Sequence, residues 1–369
     1  MKFCCEKALL LNGVNTAARA VAAKSSVPAL EGILLEAGAE GLRMTGFNLE
    51  LGIYVDTEAE VTESGAVVLN ARLLGELLRR LPDETVIVET EEEAVRIRCG
   101  RSEFNLLGIP ADEFPELPQV DDRYSVALEE RTLREMIEGT LFAASTNEAR
   151  PIYTGALFDL EGDRLTLVAV DGYRLALRRV SGLPESSPTS FVIPGSALDH
   201  VGKILQDRED LVTVTVGAKH AMFVMGGAVL ITRRLEGEFL DYKKVVPKEQ
   251  PIRFKVDVQQ LRESVERVSL IINEKMKSPI RCVFGTGIVS LSAATALGTA
   301  ADQCAIDGDG KDTEIGFNNR YLIDALRHSP ASRVQVELAS GIAPCLMTPE
   351  DGGDGFLYMV LPVRLRAEM

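Results

Sequence analysis

Apolar and polar positions along the chain switch between two periods. Near the N-terminus MKFCC reads as a strand, and Leu10, Val14, Ala17 and Val21 then recur at helical spacing, predicting a helix over 6–24. Strand-like runs follow at GILLEA, LRMTGF and ELGIYV. A second cycle opens with AVVLN, passes into a helix over 70–80 with Leu74, Leu77, Leu78 and Leu81 on one face, and closes with TVIVET, AVRIRC and SEFNLL. The pattern predicts further helices near 129–141 and 196–206, then near 257–271 and 318–328, giving six copies of strand, helix, three strands. Each helix would bury its apolar stripe on sheet and leave its other face free. The expected fold class is α+β, with two helices packed on antiparallel sheets in each third of the chain.

Two markers give the repeat its length. Segments in which an apolar run enters an amphipathic helix begin at Val67, Phe191 and Glu314, 124 and 123 residues apart. Polar turn residues after an apolar strand fall at Asn48, Asp171 and Thr295, spaced by 123 and 124. Proline-marked polar stretches, FPELPQVDDR from Phe114 and PKEQP from Pro247, read as linkers between domains of 1–120, 121–247 and 248–369. Similar domains in series tend to curve. At about one sixth of a circle per domain, three make a half ring that a symmetric dimer closes.

The composition, 46% hydrophobic and 26% charged without a low-complexity tract, is that of a chain folded throughout. Forty basic against fifty-five acidic residues leave a net charge of −15, which argues against a surface that grips phosphates everywhere. The charge is uneven. The six predicted helices together carry +2, the first two +2 each, which leaves −17 for strands, loops and linkers. Mildly positive helix faces would offer a polyanion weak, sequence-blind attraction, as movement along DNA requires.

The N-terminal MKFCCEKALLLNG lacks the features of a secretory signal and AMFVMGGAVLI is too short to span a bilayer, so a cytosolic (cytoplasmic) protein is expected. Six cysteines at 4, 5, 99, 282, 304 and 345 have no CxxC spacing and read as buried free thiols. An enzyme finds little support: His200, His220 and His328 lack metal spacing, and no nucleotide-loop, serine-elbow or zinc-helix motif occurs. DGDGKD at 307–312 resembles a calcium loop but has Lys311 where an oxygen ligand belongs, so a plain hairpin loop is expected there. A repeat scaffold that binds proteins but no DNA is the other rival.

The stretch VAVDGYRLALRR, 168–179, reads as two strands about an Asp-Gly turn, with Tyr173 and Arg174, residue types enriched in interfaces, at the tip. It belongs to a series: the N-terminal MKF, DGYRLA at 171–176, EFLDYKKVVP at 238–247, NEK at 273–275, IGFNNRYLIDAL at 315–326 and YMVLPVRL at 358–365. In their order and spacing these resemble the bacterial sliding clamp family, the beta subunits of DNA polymerase III, over the whole chain.

The resemblance implies three repeated clamp domains and a ring-shaped head-to-tail homodimer with helices lining the hole. A clamp loader would open it around double-stranded DNA, and the ring would tether the replicative polymerase and repair proteins, as a processivity factor without catalytic residues or cofactor. It places a partner-peptide groove at Tyr153, Val170, Gly172, Tyr173, Arg174 and Leu175, at Leu240, Lys244, Val245, Met276, Asn318 and Tyr321, and at Met359, Val360, Leu361, Pro362, Val363, Arg364 and Leu365. Apolar walls with a few polar anchors suit a short extended peptide carrying hydrophobic side chains. Contacts to DNA are implied at Lys24, Arg72, Arg79, Asn147, Arg150 and Tyr153.

A dimer junction is implied at Phe104 and Leu106 against Leu270 and Ile271. Some positions depart from the family pattern. Leu240 stands where proline is common, Lys244 where arginine can be, and PGSAL lacks a frequent lysine. Glu103 reverses a charge at a junction whose other side, LGTAADQCA, is nearly uncharged, and Arg366–Met369 extends past the usual end. A more apolar junction is the expectation.

Overall fold

Three helices begin at a side chain that satisfies a free amide of the first turn. Asn70 Oδ1 accepts from Leu73 N at 3.0 Å, Asp257 Oδ1 from Gln260 N at 2.8 Å, and Asn318 Oδ1 from Arg320 N at 3.0 Å. Each cap stands where a strand of the repeat hands over to its helix. The computed structural model describes residues 1–272 and 278–365.

In the first third the elements are β1 (Lys2–Glu6), α1 (Lys7–Ala17), β2 (Gly32–Gly38), β3 (Gly41–Phe47), β4 (Leu51–Thr57), β5 (Glu60–Glu63), β6 (Gly65–Asn70), α2 (Ala71–Arg80), β7 (Thr85–Glu91), β8 (Ala94–Cys99) and β9 (Ser102–Leu107). The second third contributes β10 (Tyr124–Glu129), α3 (Glu130–Glu138), β11 (Gly155–Gly162), β12 (Arg164–Val170), β13 (Arg174–Val180), β14 (Ser186–Pro194), α4 (Gly195–Ile204), β15 (Leu211–Val216), β16 (His220–Met225), β17 (Ala228–Arg233) and the single-turn α5 (Tyr242–Val245). The last contains β18 (Ile252–Asp257), α6 (Val258–Ser269), β19 (Ile280–Thr295), β20 (Gly298–Phe317), α7 (Asn319–Arg327), β21 (Arg333–Leu338), β22 (Cys345–Pro349) and β23 (Phe356–Val360). The ladders between named strands are antiparallel.

The chain forms two compact units, residues 1–134 with 197–234, and 135–196 with 235–369. The first unit holds a five-stranded sheet, β5-β1-β7-β8-β9, and an eight-stranded sheet, β10-β15-β16-β17-β4-β3-β2-β6. Its core takes Leu10, Val14 and Ala17 from α1 and Leu74, Leu77 and Leu78 from α2, the predicted stripes, with Leu81 just beyond the helix. Each such leucine contributes roughly 1.5–3 kcal/mol by burial. The second unit holds one ten-stranded sheet, β14-β11-β12-β13-β23-β22-β21-β18-β20-β19.

The two larger sheets are joined in the same way. In the first unit β4 pairs with β17, Leu51 opposite Thr232. In the second β13 pairs with β23, Arg174 opposite Val360. Strands 123 residues apart in the chain therefore find partners of the same kind.

Four expectations need correction. The helix predicted over 6–24 ends at Ala17 and tightens into a 3-10 turn at Ala18–Ala20, because Ala22 N is drawn to Leu30 O at 3.0 Å and the chain turns away. Lys24 consequently lies outside the helix. The helix predicted over 129–141 stops at Glu138, where Gly139 follows and Thr140 Oγ1 donates back to Met136 O at 2.7 Å. The fifth cycle lacks three separate strands: β19 and β20 are long, and their ladder breaks register at 284–288.

DGDGKD is likewise no hairpin loop. It lies inside β20, where Asp307 and Gly308 face Lys255 and Phe254 of β18, and Lys311 and Asp312 take left-handed φ of 54° and 52°. The strand thus crosses from one partner to another at this point, and local turn chemistry serves a bulge instead of a reversal.

Candidate peptide-binding groove

The hairpin 168–179 forms as the turn residues predict. Val170 pairs with Leu175, and the loop between Asp171 and Arg174 puts φ +91° on Gly172, a conformation L side chains rarely adopt. Asp171 locks the tip: its Oδ1 accepts from Tyr173 N at 2.8 Å and Arg174 N at 3.0 Å. Tyr173 is left 62% exposed, and its carbonyl accepts from Leu361 N at 2.9 Å, tying the tip to the C-terminal segment.

Arg174 is the opposite case, mostly buried and paired with two carboxylates. Its Nε donates to Asp171 Oδ2 at 3.0 Å and its Nη1 to Asp324 Oδ2 of α7 at 2.5 Å. The guanidinium carbon lies 4.6 Å from the Tyr321 ring centroid and 5.6 Å from that of Phe142. Tyr321 stacks on Tyr173 with centroids 6.0 Å apart and planes at 20°. Burial, followed by the nearby Asp171 carboxylate, raises the Tyr321 pKa, so the phenol is neutral beside this charge network.

Two depressions meet at the tyrosine pair. One, of about 720 Å³, is lined by Ala144–Asn147, Arg150, Tyr153, Val170–Arg174, Leu240 and Tyr321. The other, of about 680 Å³, is lined by Tyr173, Ile272, Ser278, Pro279, Asn318–Tyr321 and Leu361–Val363. Beneath the first is an apolar cluster in which Val170, Leu175, Tyr242 and Met359 are buried and Tyr153, Phe239, Leu240 and Leu361 partly so. Tyr242 OH donates to Asp159 Oδ2 at 2.7 Å, and burial, with that carboxylate, pushes its pKa up to about 12.

The structure therefore sorts the predicted groove residues. Tyr153, Val170, Gly172, Tyr173, Arg174, Leu240, Asn318, Tyr321, Leu361, Pro362 and Val363 line the depressions. Leu175, Met359 and Val360 are buried in the sheet below. Lys244 and Val245 are exposed on α5, and Lys244 Nζ pairs with Asp241 at 2.8 Å. Leu365 packs on Gly316, where an added Cβ would lie 2.7 Å from Leu365 Cδ2, and Arg364 beside it is exposed. Met276, with NEK at 273–275 and Arg366–Met369, lies outside the described residues. Asp324, Phe142, Ile272 and Pro279 were not legible as site residues; only Asp324 had a signal, as a polar residue one turn after Tyr321 on α7.

Of the residues implied for DNA, Asn147, Arg150 and Tyr153 line the first depression itself. Lys24, Arg72 and Arg79 are exposed in the other unit, and Arg72 is held by Glu76 at 3.0 Å across one helical turn.

At the implied junction, Phe104 is 40% and Leu107 84% exposed on β9, whereas Leu106 packs on the core. Leu270 is 84% exposed, and Ile271 O accepts from Thr295 Oγ1 at 3.1 Å, beside the equally unpredicted Leu297. Glu103 finds Arg96 at 3.7 Å within its own sheet, and Asp302, in LGTAADQCA, finds Arg267 at 2.6 Å.

Repeated α+β modules of strand, helix and three strands, with a peptide-sized groove on the second unit, define a clamp-type protein. Family comparison agrees over nearly the full length: residues 1–118, 127–241 and 243–364 match the N-terminal, central and C-terminal domains of the DNA polymerase III beta subunit. The chain belongs to this family of beta sliding clamps, and is built of its three repeated clamp domains.

Among relatives, the beta sliding clamp of Halalkalibacterium halodurans is 31% identical over 99% of this chain and 100% of its own. That of Bacillus subtilis is 29% identical with the same coverage. Among solved structures, a putative DNA polymerase III beta subunit from Eubacterium rectale superposes with a TM-score of 0.93 at 30% identity, covering 99% of this chain and 100% of that one. A Pseudomonas aeruginosa sliding clamp bound to griselimycin superposes with a TM-score of 0.94 at 27% identity and the same coverage.

Proposed function

We propose that this protein is the sliding clamp of its replication machinery: a ring-shaped homodimer that encircles double-stranded DNA in the cytoplasm, is opened by a clamp loader, and holds the replicative polymerase and repair proteins by short hydrophobic peptides. It acts by topology and catalyses no reaction. Its domains are taken as 1–120, 121–247 and 248–369, joined by the two proline-marked linkers.

The observation that carries the reading is a pair of free strand edges. β4 pairs with β17 and β13 with β23, each joining the third strand of one cycle to that of a later one. The strands left over from this scheme are β9, at the edge of its sheet, and Gly298–Ala305 of β20, which among the described residues pairs with β19 alone. Exposed Phe104 and Leu107 stand on the first, and Leu297 at the start of the second. Two copies joined β9 to β20 would repeat the internal joint twice, bury both edges and close head to tail.

The groove supplies the tether. Exposed Tyr173 between two depressions of mixed apolar and polar lining suits an extended peptide that places side chains to either side of it.

The decisive experiment loads the protein on nicked circular DNA with its loader and ATP, then cuts the circle. A clamp stays on the closed circle through gel filtration and leaves once an end is available. Equal retention on circle and linear DNA would sink the reading in favour of a protein scaffold.

A further inference from the structure

We propose that Phe142 is a positioning residue of the groove, acting through Arg174; the inference rests on the reading of that groove as a peptide site. Phe142 lies in the 3-10 turn Leu141–Ala143, directly before the segment Ala144–Asn147 that walls the first depression. It does not line either depression. Its ring is held from several sides: His328 stacks on it at 4.6 Å with planes 11° apart, Tyr358 meets it edge-on at 5.3 Å, and the Arg174 guanidinium stands 5.6 Å from its centroid.

The same neighbours anchor the end of α7. His328 N and Nδ1 both lie against Asp324 O, at 3.1 and 2.9 Å, and Tyr358 OH donates to His328 O at 2.7 Å. Asp324 thus joins two sides of the cluster: its backbone carbonyl meets His328 and its carboxylate receives Arg174. Phe142 fills the space between.

A guanidinium offered two carboxylates and two aromatic faces has several comparable orientations, and the one observed keeps its carbon over Tyr321 at 4.6 Å. The Phe142 ring, immobilised by His328 and Tyr358, excludes the alternatives. Tyr321 and hence its stack with Tyr173, which form the boundary of both depressions, are held in place from behind.

The test measures binding of a fluorescein-labelled heptapeptide with leucines at alternate positions to the full-length protein by anisotropy, for Phe142→Leu, Arg174→Ala and the double variant. Thermal unfolding and solution mass accompany each. Phe142→Leu keeps an apolar side chain of somewhat smaller volume but loses the ring faces, and should weaken binding about five-fold with mass unchanged. Arg174→Ala should weaken it at least as much, and adding Phe142→Leu to it should cost nothing more. His328→Ala, which frees the other face, should lower affinity in the same direction.

Wild-type affinity in both Phe142→Leu and His328→Ala, or losses that multiply in the double variant, would overturn the role of Phe142 while leaving the groove intact. Wild-type affinity in Arg174→Ala would instead overturn the groove.

Discussion

Three turns, one in each third of the chain, solve the same problem with different residues. Asn48 Oδ1 accepts from Glu50 N at 3.1 Å and Leu51 N at 2.8 Å, as Asp171 does from Tyr173 and Arg174, and Thr295 Oγ1 accepts from Leu297 N at 3.1 Å. These are the polar markers whose spacing revealed the repeat, and the side chain to backbone bond explains why Asn, Asp or Thr stands there. The next residue must accept a positive φ in the first two turns. Gly172 does so freely at +91°, whereas Leu49 does so at +75° with a Cβ in the way. Leu49→Gly should therefore stabilise the protein by about 0.5–1 kcal/mol, relief of left-handed strain outweighing the added freedom of the unfolded chain. A lower urea midpoint for this variant would contradict the account.

Among the elements, periodicity made the helices and strands legible, but their ends were decided by neighbours. The stripes Leu10, Val14, Ala17 and Leu74, Leu77, Leu78 are buried as their spacing requires. The end of α1 follows from the pull of Leu30 on Ala22, across a turn of the chain beyond the helix, which the helix's own periodicity does not encode. In the fifth cycle the same limit appears in DGDGKD, whose composition favours a loop and whose partners, β18 and β19, make it a strand.

The free edge β9 is an element with a stated task. Replacing Phe104 and Leu107 together by alanine should raise the dimer dissociation constant at least ten-fold, read as a monomer peak in light scattering, because the apolar part of the joint is lost. Leu106 is left alone, since it packs on the core. A dimer as stable as the wild type would mean that β9 is not the joint.

For the molecule as a whole, the net charge of −15 and the scattered arginines set the terms of DNA binding. Arg72 is partly neutralised by Glu76, so the attraction to phosphates is weak even locally. Retention should then depend on closure more than on charge. Raising salt from about 0.1 to 0.5 M should leave the protein on closed circles nearly unchanged, where a protein held by several phosphate contacts would lose orders of magnitude in affinity. A steep loss from uncut circles would point to ionic binding.

By itself the sequence determined what neighbours along the chain can enforce: the amphipathic stripes, the turn at Asp171, and the repeat that carries them. Only the tertiary structure decided which edges meet, Leu51 with Thr232 and Arg174 with Val360, and that Asn147 and Arg150 open onto the same depression as Tyr173. The reason is physical. A helix stripe or a turn is satisfied within a few residues, whereas a strand edge accepts any partner of suitable register, and its choice follows from closing loops of well over a hundred residues around a shared core.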